Sequence, residues 1–101
     1  MSKKCYYTVI SSLTSLGKDK VQCANVEGFN VLVGMDVEVG SKGFLFLPDA
    51  VLTEGACTLL GWTHEPRVRA QRFFKGTFLS EALFIPFNDG ESVDTEGLYY
   101  T

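Results

Sequence analysis

The sequence predicts a small, mostly β domain with at most one short helix. Short runs of β-branched, aromatic and aliphatic residues recur through the first 87 positions. Turn-forming residues break these runs at short, regular spacing, which points to a barrel or a sandwich. A single segment, 53–60, carries helix punctuation instead.

The elements follow in order. Tyr6 to Leu13 is rich in β-branched and aromatic residues and reads as a strand, closed by the polar turn Gly17-Lys18-Asp19-Lys20. Val21 to Val26 mixes apolar and polar positions, and Phe29-Asn30-Val31-Leu32-Val33 follows across Glu27-Gly28. Between Gly34 and Gly40, Met35, Val37 and Val39 alternate with Asp36 and Glu38, a second strand-like pattern. Ser41-Lys42-Gly43 signals a tight turn. Phe44-Leu45-Phe46-Leu47 is uninterrupted and ends at Pro48, as a central strand covered on both faces would. Thr53 is placed to cap a helix that Gly61 ends. Trp62 to Pro66 connects, and because proline donates nothing to a ladder, a strand is expected just after it. Arg67 to Lys75 and Phe78 to Phe87 then pair across Gly76-Thr77. The expected division is a β domain over 1–87 and an acidic linker or tail over 88–101.

Composition narrows the function. At 101 residues the chain holds one modest core, and 46% apolar with 21% charged residues is a globular rather than a disordered balance. No apolar run approaches the ~20 residues of a membrane span. Thr8, Ser11 and Ser12 break the apolar stretch after Lys3 and Lys4, which argues against a secretory signal, so the cytoplasm is the expected location. Three widely spaced cysteines and one histidine supply no zinc ligand set, and Cys57 with His64 lacks an orienting third group. Asp36 and Glu38 alone make a poor magnesium site. The glycines fit no nucleotide-cradling spacing. No metal or cofactor is expected.

The net charge of −3 conceals an asymmetry. Residues 1–80 carry nine Lys or Arg against seven acids, and residues 81–101 carry five acids and no base. Four of the nine cations fall in Arg67-Val68-Arg69-Ala70-Gln71-Arg72-Phe73-Phe74-Lys75. On a strand, Arg67, Arg69, Gln71, Phe73 and Lys75 share one face, and Val68, Ala70, Arg72 and Phe74 share the other. Arg72 breaks the second face, which a rim position or a bulge near Phe73-Phe74 would resolve. Cations two apart stand about 6–7 Å from one another, close to the spacing of successive phosphates. Basic side chains interleaved with aromatics suit single-stranded nucleic acid, whereas so small a positive excess excludes strong indiscriminate DNA binding. The competing reading is a solvated edge strand. Trp62 and His64 are candidates for base stacking or for a packed connector.

Three blocks carry a family resemblance. After a strand ending in Phe29-Asn30-Val31-Leu32-Val33, they are Val39-Gly40-Ser41-Lys42-Gly43-Phe44-Leu45-Phe46-Leu47-Pro48-Asp49-Ala50-Val51-Leu52, the Arg67–Gly76 segment with Ser80-Glu81-Ala82-Leu83-Phe84-Ile85-Pro86, and the exit Gly90-Glu91-Ser92-Val93-Asp94. Over roughly residues 20–95 they resemble the N-terminal OB-like domain of phage and bacterial RNA ligases of the Deinococcus type. The resemblance implies a small OB-like β-barrel that precedes a nucleotidyltransferase domain. Such folds commonly bind single-stranded nucleic acid across one sheet face. Phe73-Phe74 before Lys75-Gly76 looks like one extra residue, and Ala82 stands where the family favours glycine. The KxDG-type lysine that the family adenylylates is absent here.

The expectation is therefore a non-catalytic RNA-binding accessory domain, either excised from a ligase or free-standing. Arg67, Arg69, Lys75 and Arg72 would hold phosphates, Phe73 would stack on a base or sugar, and Lys42 would extend the positive strip. The alternative is a phage-type protein-binding adaptor or inhibitor, with the acidic tail and its Tyr99-Tyr100 docking on a protein partner.

Overall fold

The structure, a computed structural model, describes residues 3–100. Met1, Ser2 and Thr101, at the outer ends of the two expected segments, lie outside the described residues. The chain is mostly β, with eight strands and one α-helix among the described residues.

Long runs that read as single strands bend and change partners. The run expected over Tyr6–Leu13 divides at Ile10-Ser11 into β1 (Cys5–Val9) and β2 (Ser12–Ser15). β1 pairs antiparallel with β5 (Lys42–Phe46), Tyr7 lying opposite Phe44. β2 instead pairs with β3 (Val21–Val26), which pairs onward with β4 (Phe29–Gly34). The joint is continuous, because Ile10 N–H donates to Ser41 O and Ser11 N–H to Asn25 O. Strands that switch sheets in this way make the corners of orthogonally packed β structures.

The basic run changes partners too. Its first half lies along residues 49–52: Val68 N–H donates to Ala50 O at 2.7 Å, and Asp49 N–H to Val68 O at 2.8 Å. Only Gln71–Phe73, β6, pairs with β7 (Phe78–Ser80) as a hairpin. The second expected strand breaks at Glu81-Ala82, and β8 (Leu83–Pro86) returns to β5. The result is three sheets, β1-β5-β8, β2-β3-β4 and β6-β7, without one ladder closing a barrel. Between β4 and the β7–β8 bend the seam is largely a side-chain one. Glu81 N–H donates to Asn30 O, the Glu81 carboxylate accepts from Asn30 N–H, and Ser80 Oγ accepts from Leu32 N–H.

β5 is buried on both faces, as its apolar run predicts. Phe44 and Phe46 enter one core with Cys5, Leu52, Val68 and Ile85; Leu45 enters the other with Ile10, Val26, Val31, Val33 and Phe84. Gly43 permits this closeness, since a Cβ there would collide with Ile85 O. The helix α1 (Glu54–Leu60) starts and stops where expected. Thr53 Oγ1 accepts from Ala56 N–H at 3.2 Å, and Gly61 ends it at φ 66°. The alternating 35–39 segment forms no strand. Met35 and Val39 are exposed, Val37 is buried, and the chain turns back on itself through Ser41.

Residues 88–100 lie against the first core through two single turns of 3-10 helix. Leu98 and Tyr99 are buried there, Tyr100 N–H donates to Val51 O, and Thr53 N–H donates to Leu98 O. No helix among the described residues is long and apolar enough to cross a membrane.

Candidate nucleic-acid interface

The split in the basic run positions its side chains. Backbone bonds to residues 49–52 hold Arg67 to Arg69, and the β6–β7 hairpin holds Gln71 to Phe73. With Val68 buried beneath, Arg67, Arg69, Gln71 and Phe73 all line one groove of about 620 Å³. Facing residues come from the end of β4 and the following turn (Leu32 to Gly34, Asp36, Val37), and apolar lining comes from Ala82, Leu83 and Phe84. Gln22, buried in β3, fixes that turn by donating from Nε2 to Gly34 O at 3.0 Å and to Val37 O at 3.3 Å.

Trp62 and His64 complete the groove, their rings edge-to-face at 4.9 Å. The Trp62 indole N–H donates to Glu65 O at 3.0 Å, and one part of the ring packs on the first core. Trp62 thus serves both as packed connector and as groove lining, while His64 is exposed.

Of the six predicted site residues, the structure brings together Arg67, Arg69 and Phe73. Arg72 is exposed and belongs to the opposite face of β6; no bulge resets the register before Phe73. Lys75 sits in the hairpin turn rather than on the strand face. Phe74, Lys75 and Gly76 there all adopt positive φ, at 55°, 59° and 86°. Lys42 lies away from the groove at the start of β5, its ammonium 3.6 Å from the Glu91 carboxylate on the surface.

The groove is nearly balanced in charge. Arg67 and Arg69 face Asp36 and Glu65 among its lining residues. The Arg69–Glu65 pair is 4.0 Å apart with both side chains well exposed, a geometry worth little. What the groove offers is two cations, an amide, aromatic faces and an apolar lining. That combination suits a flat apolar ring carrying an anion.

No cluster of three His, Cys, Asp or Glu is placed to hold a metal among the described residues. All three cysteines are free thiols. Burial pushes the Cys5 thiol up to about 12, and burial followed by the Glu81 charge raises that of Cys23.

No family model matches the chain, and no curated protein matches it. Solved structures do. A lysine-to-methionine variant of Naegleria gruberi RNA ligase with AMP and Mn superposes with a TM-score of 0.69 at 21% identity, over 92% of this chain and 31% of that one. An apo lysine-to-alanine variant of the same ligase gives 0.70 at 20% identity, over 93% and 32%. An arginine-to-alanine variant with ATP and Mn gives 0.69 at 18% identity, over 96% and 32%. The chain shares its fold with part of an RNA ligase. It spans about a third of the length of the ligase chains it matches.

Proposed function

We propose that this chain is a non-catalytic, OB-like RNA-binding accessory domain, related to the barrel of phage and bacterial RNA ligases of the Deinococcus type. One observation carries the reading: Arg67, Arg69, Gln71 and Phe73 line a single groove together with Trp62 and His64. Single-stranded nucleic acid binds where cations track phosphates and aromatic faces receive bases. Arg67 and Arg69 hold phosphates, Phe73 and His64 offer ring faces, and the apolar lining excludes water around a splayed base. The fold shared with part of an RNA ligase supports RNA as the ligand class. The domain works in the cytoplasm and leaves sealing chemistry to another domain or protein, because no KxDG lysine stands in this sequence.

The test is a fluorescence-anisotropy titration with labelled single-stranded RNA at two salt concentrations. Arg67→Ala with Arg69→Ala should weaken binding and flatten the log–log salt slope by about 0.7 for each lost phosphate contact. An unchanged affinity and slope would overturn the proposal. No RNA binding by the unaltered protein would also overturn it, in favour of a protein-binding adaptor.

A further inference from the structure

The groove's near-balance of charge leaves open where a polyanion gains its attraction. The fold gathers a second cationic surface at the hairpin tip from two segments more than fifty residues apart. The Lys18 ammonium lies 4.6 Å from the centroid of the Phe74 ring, so the turn between β2 and β3 touches the turn between β6 and β7. Lys18 and Lys20 on one turn and Lys75 on the other are all exposed. None of the three is in an ion pair among the described residues. Against Asp19, the one acid within these two turns, three cations leave an excess of two in a protein whose total is −3.

This surface is continuous with the groove. Phe73 lines the groove, Phe74 carries Lys18, and the two rings are 6.3 Å apart. A strand leaving the groove past Phe73 therefore meets the cationic turns at the very next residue. The tip is also conformationally costly, because Phe74 and Lys75 take left-handed backbone angles that bulky residues seldom adopt. Such geometry is often kept where it positions a functional side chain.

We infer that Lys18, Lys20 and Lys75 form a phosphate-binding extension of the groove, engaged by single-stranded RNA long enough to run past Phe73. The inference rests on the RNA-binding reading of the groove. It adds that the groove receives bases with few phosphates, and that the tip contributes most of the salt-dependent affinity.

Two RNA lengths separate these ideas, an oligomer of about four nucleotides and one of about twelve, both within the span of OB-type sites. Lys18→Ala with Lys20→Ala should raise the Kd of the longer RNA several-fold and flatten its salt slope by about 1.4, two single-strand contacts. It should leave the shorter RNA within twofold. The charge-matched control is Lys3→Ala with Lys4→Ala, which should change neither. Equal effects of the two double variants on the longer RNA would overturn the inference. So would equal loss on both lengths, which would make these lysines part of the groove's own site. The Arg67→Ala, Arg69→Ala variant reports on the groove separately: loss there without loss at the lysines sinks the extension and leaves the groove reading standing.

Discussion

Phe44 and Phe74 are the same side chain in opposite circumstances. Phe44 is fully buried, flanked by the Tyr7 and Phe87 rings at 5.2 and 5.7 Å, and covered by Gly90, where a Cβ would collide with Tyr7. Phe74 stands half-exposed at the tip of a two-stranded hairpin, under one lysine. This small domain places its packing at one end and its exposed cations at the other. The packed end holds β1, β5, β8, the helix and residues 88–100 in one core. The hairpin end is tied to the body by a few bonds and presents the cations.

Truncating each of these two rings in turn carries the largest expected effect. Phe44→Ala should destabilise by about 3–5 kcal/mol, the range for emptying a buried aromatic site. Phe74→Ala should cost no more than about 1 kcal/mol, since it forfeits an exposed cation–π contact and some surface packing. Urea unfolding of both variants measures the difference. Comparable losses would mean that the hairpin tip is part of the stabilising core.

A pH titration probes the packed end alone. Cys5 is fully buried in it, with its thiol raised from 9.0 to about 12 by burial. The folded state therefore holds its proton above pH 9 while the unfolded chain releases it. This contribution is complete below about pH 9 and is lost as pH rises towards 12, by up to about 1.4 kcal/mol per pH unit. Stability curves of the wild type and Cys5→Ala from pH 8 upward should differ in slope over that window, the variant falling less steeply. Parallel curves would show that Cys5 is wetter than its packing implies.

The hairpin end is tied to β4 through a side chain. Ser80 Oγ accepts from Leu32 N–H and donates to Ala82 O, both at 3.2 Å, in place of a backbone ladder. Ser80→Ala strands a backbone N–H and should cost about 1–3 kcal/mol. Hydrogen exchange should quicken in β4 and β7 and stay unchanged in β5. Faster exchange spread evenly over the chain would show that the two regions open together.

Much of this division was legible in the residues. The β5 run declared a doubly covered strand, Thr53 and Gly61 marked the helix, and the period-two face of the basic run placed Arg67, Arg69 and Phe73 together. What escaped has a common cause. Alternation reports which side chains are covered and says nothing of a strand's partner, so the bends at Ile10-Ser11, Ala70-Gln71 and Glu81-Ala82 were invisible, as was the turn over 35–39. The groove wall from β4 and the meeting of Lys18 with Phe74 arise from contacts far apart in sequence. In the terminal segment, Leu98 and Tyr99 are too few among acids to produce a pattern, although their burial ties residues 88–100 down.

The smallest effect is the most discriminating. Lys75 holds φ 59° in the hairpin turn. A non-glycine residue pays for left-handed backbone, and glycine does not, even after its greater unfolded-state freedom is counted. Lys75→Gly should therefore stabilise the protein by about 0.5–1 kcal/mol, a rise of a few degrees in Tm for a chain of this size. The same change removes one cation from the tip and should weaken binding of the longer RNA. A higher Tm with weaker RNA binding is what a strained, functional tip requires. An unchanged affinity would return Lys75 to the solvent-exposed turn it occupies, and a lower Tm would mean its side chain supports the hairpin instead.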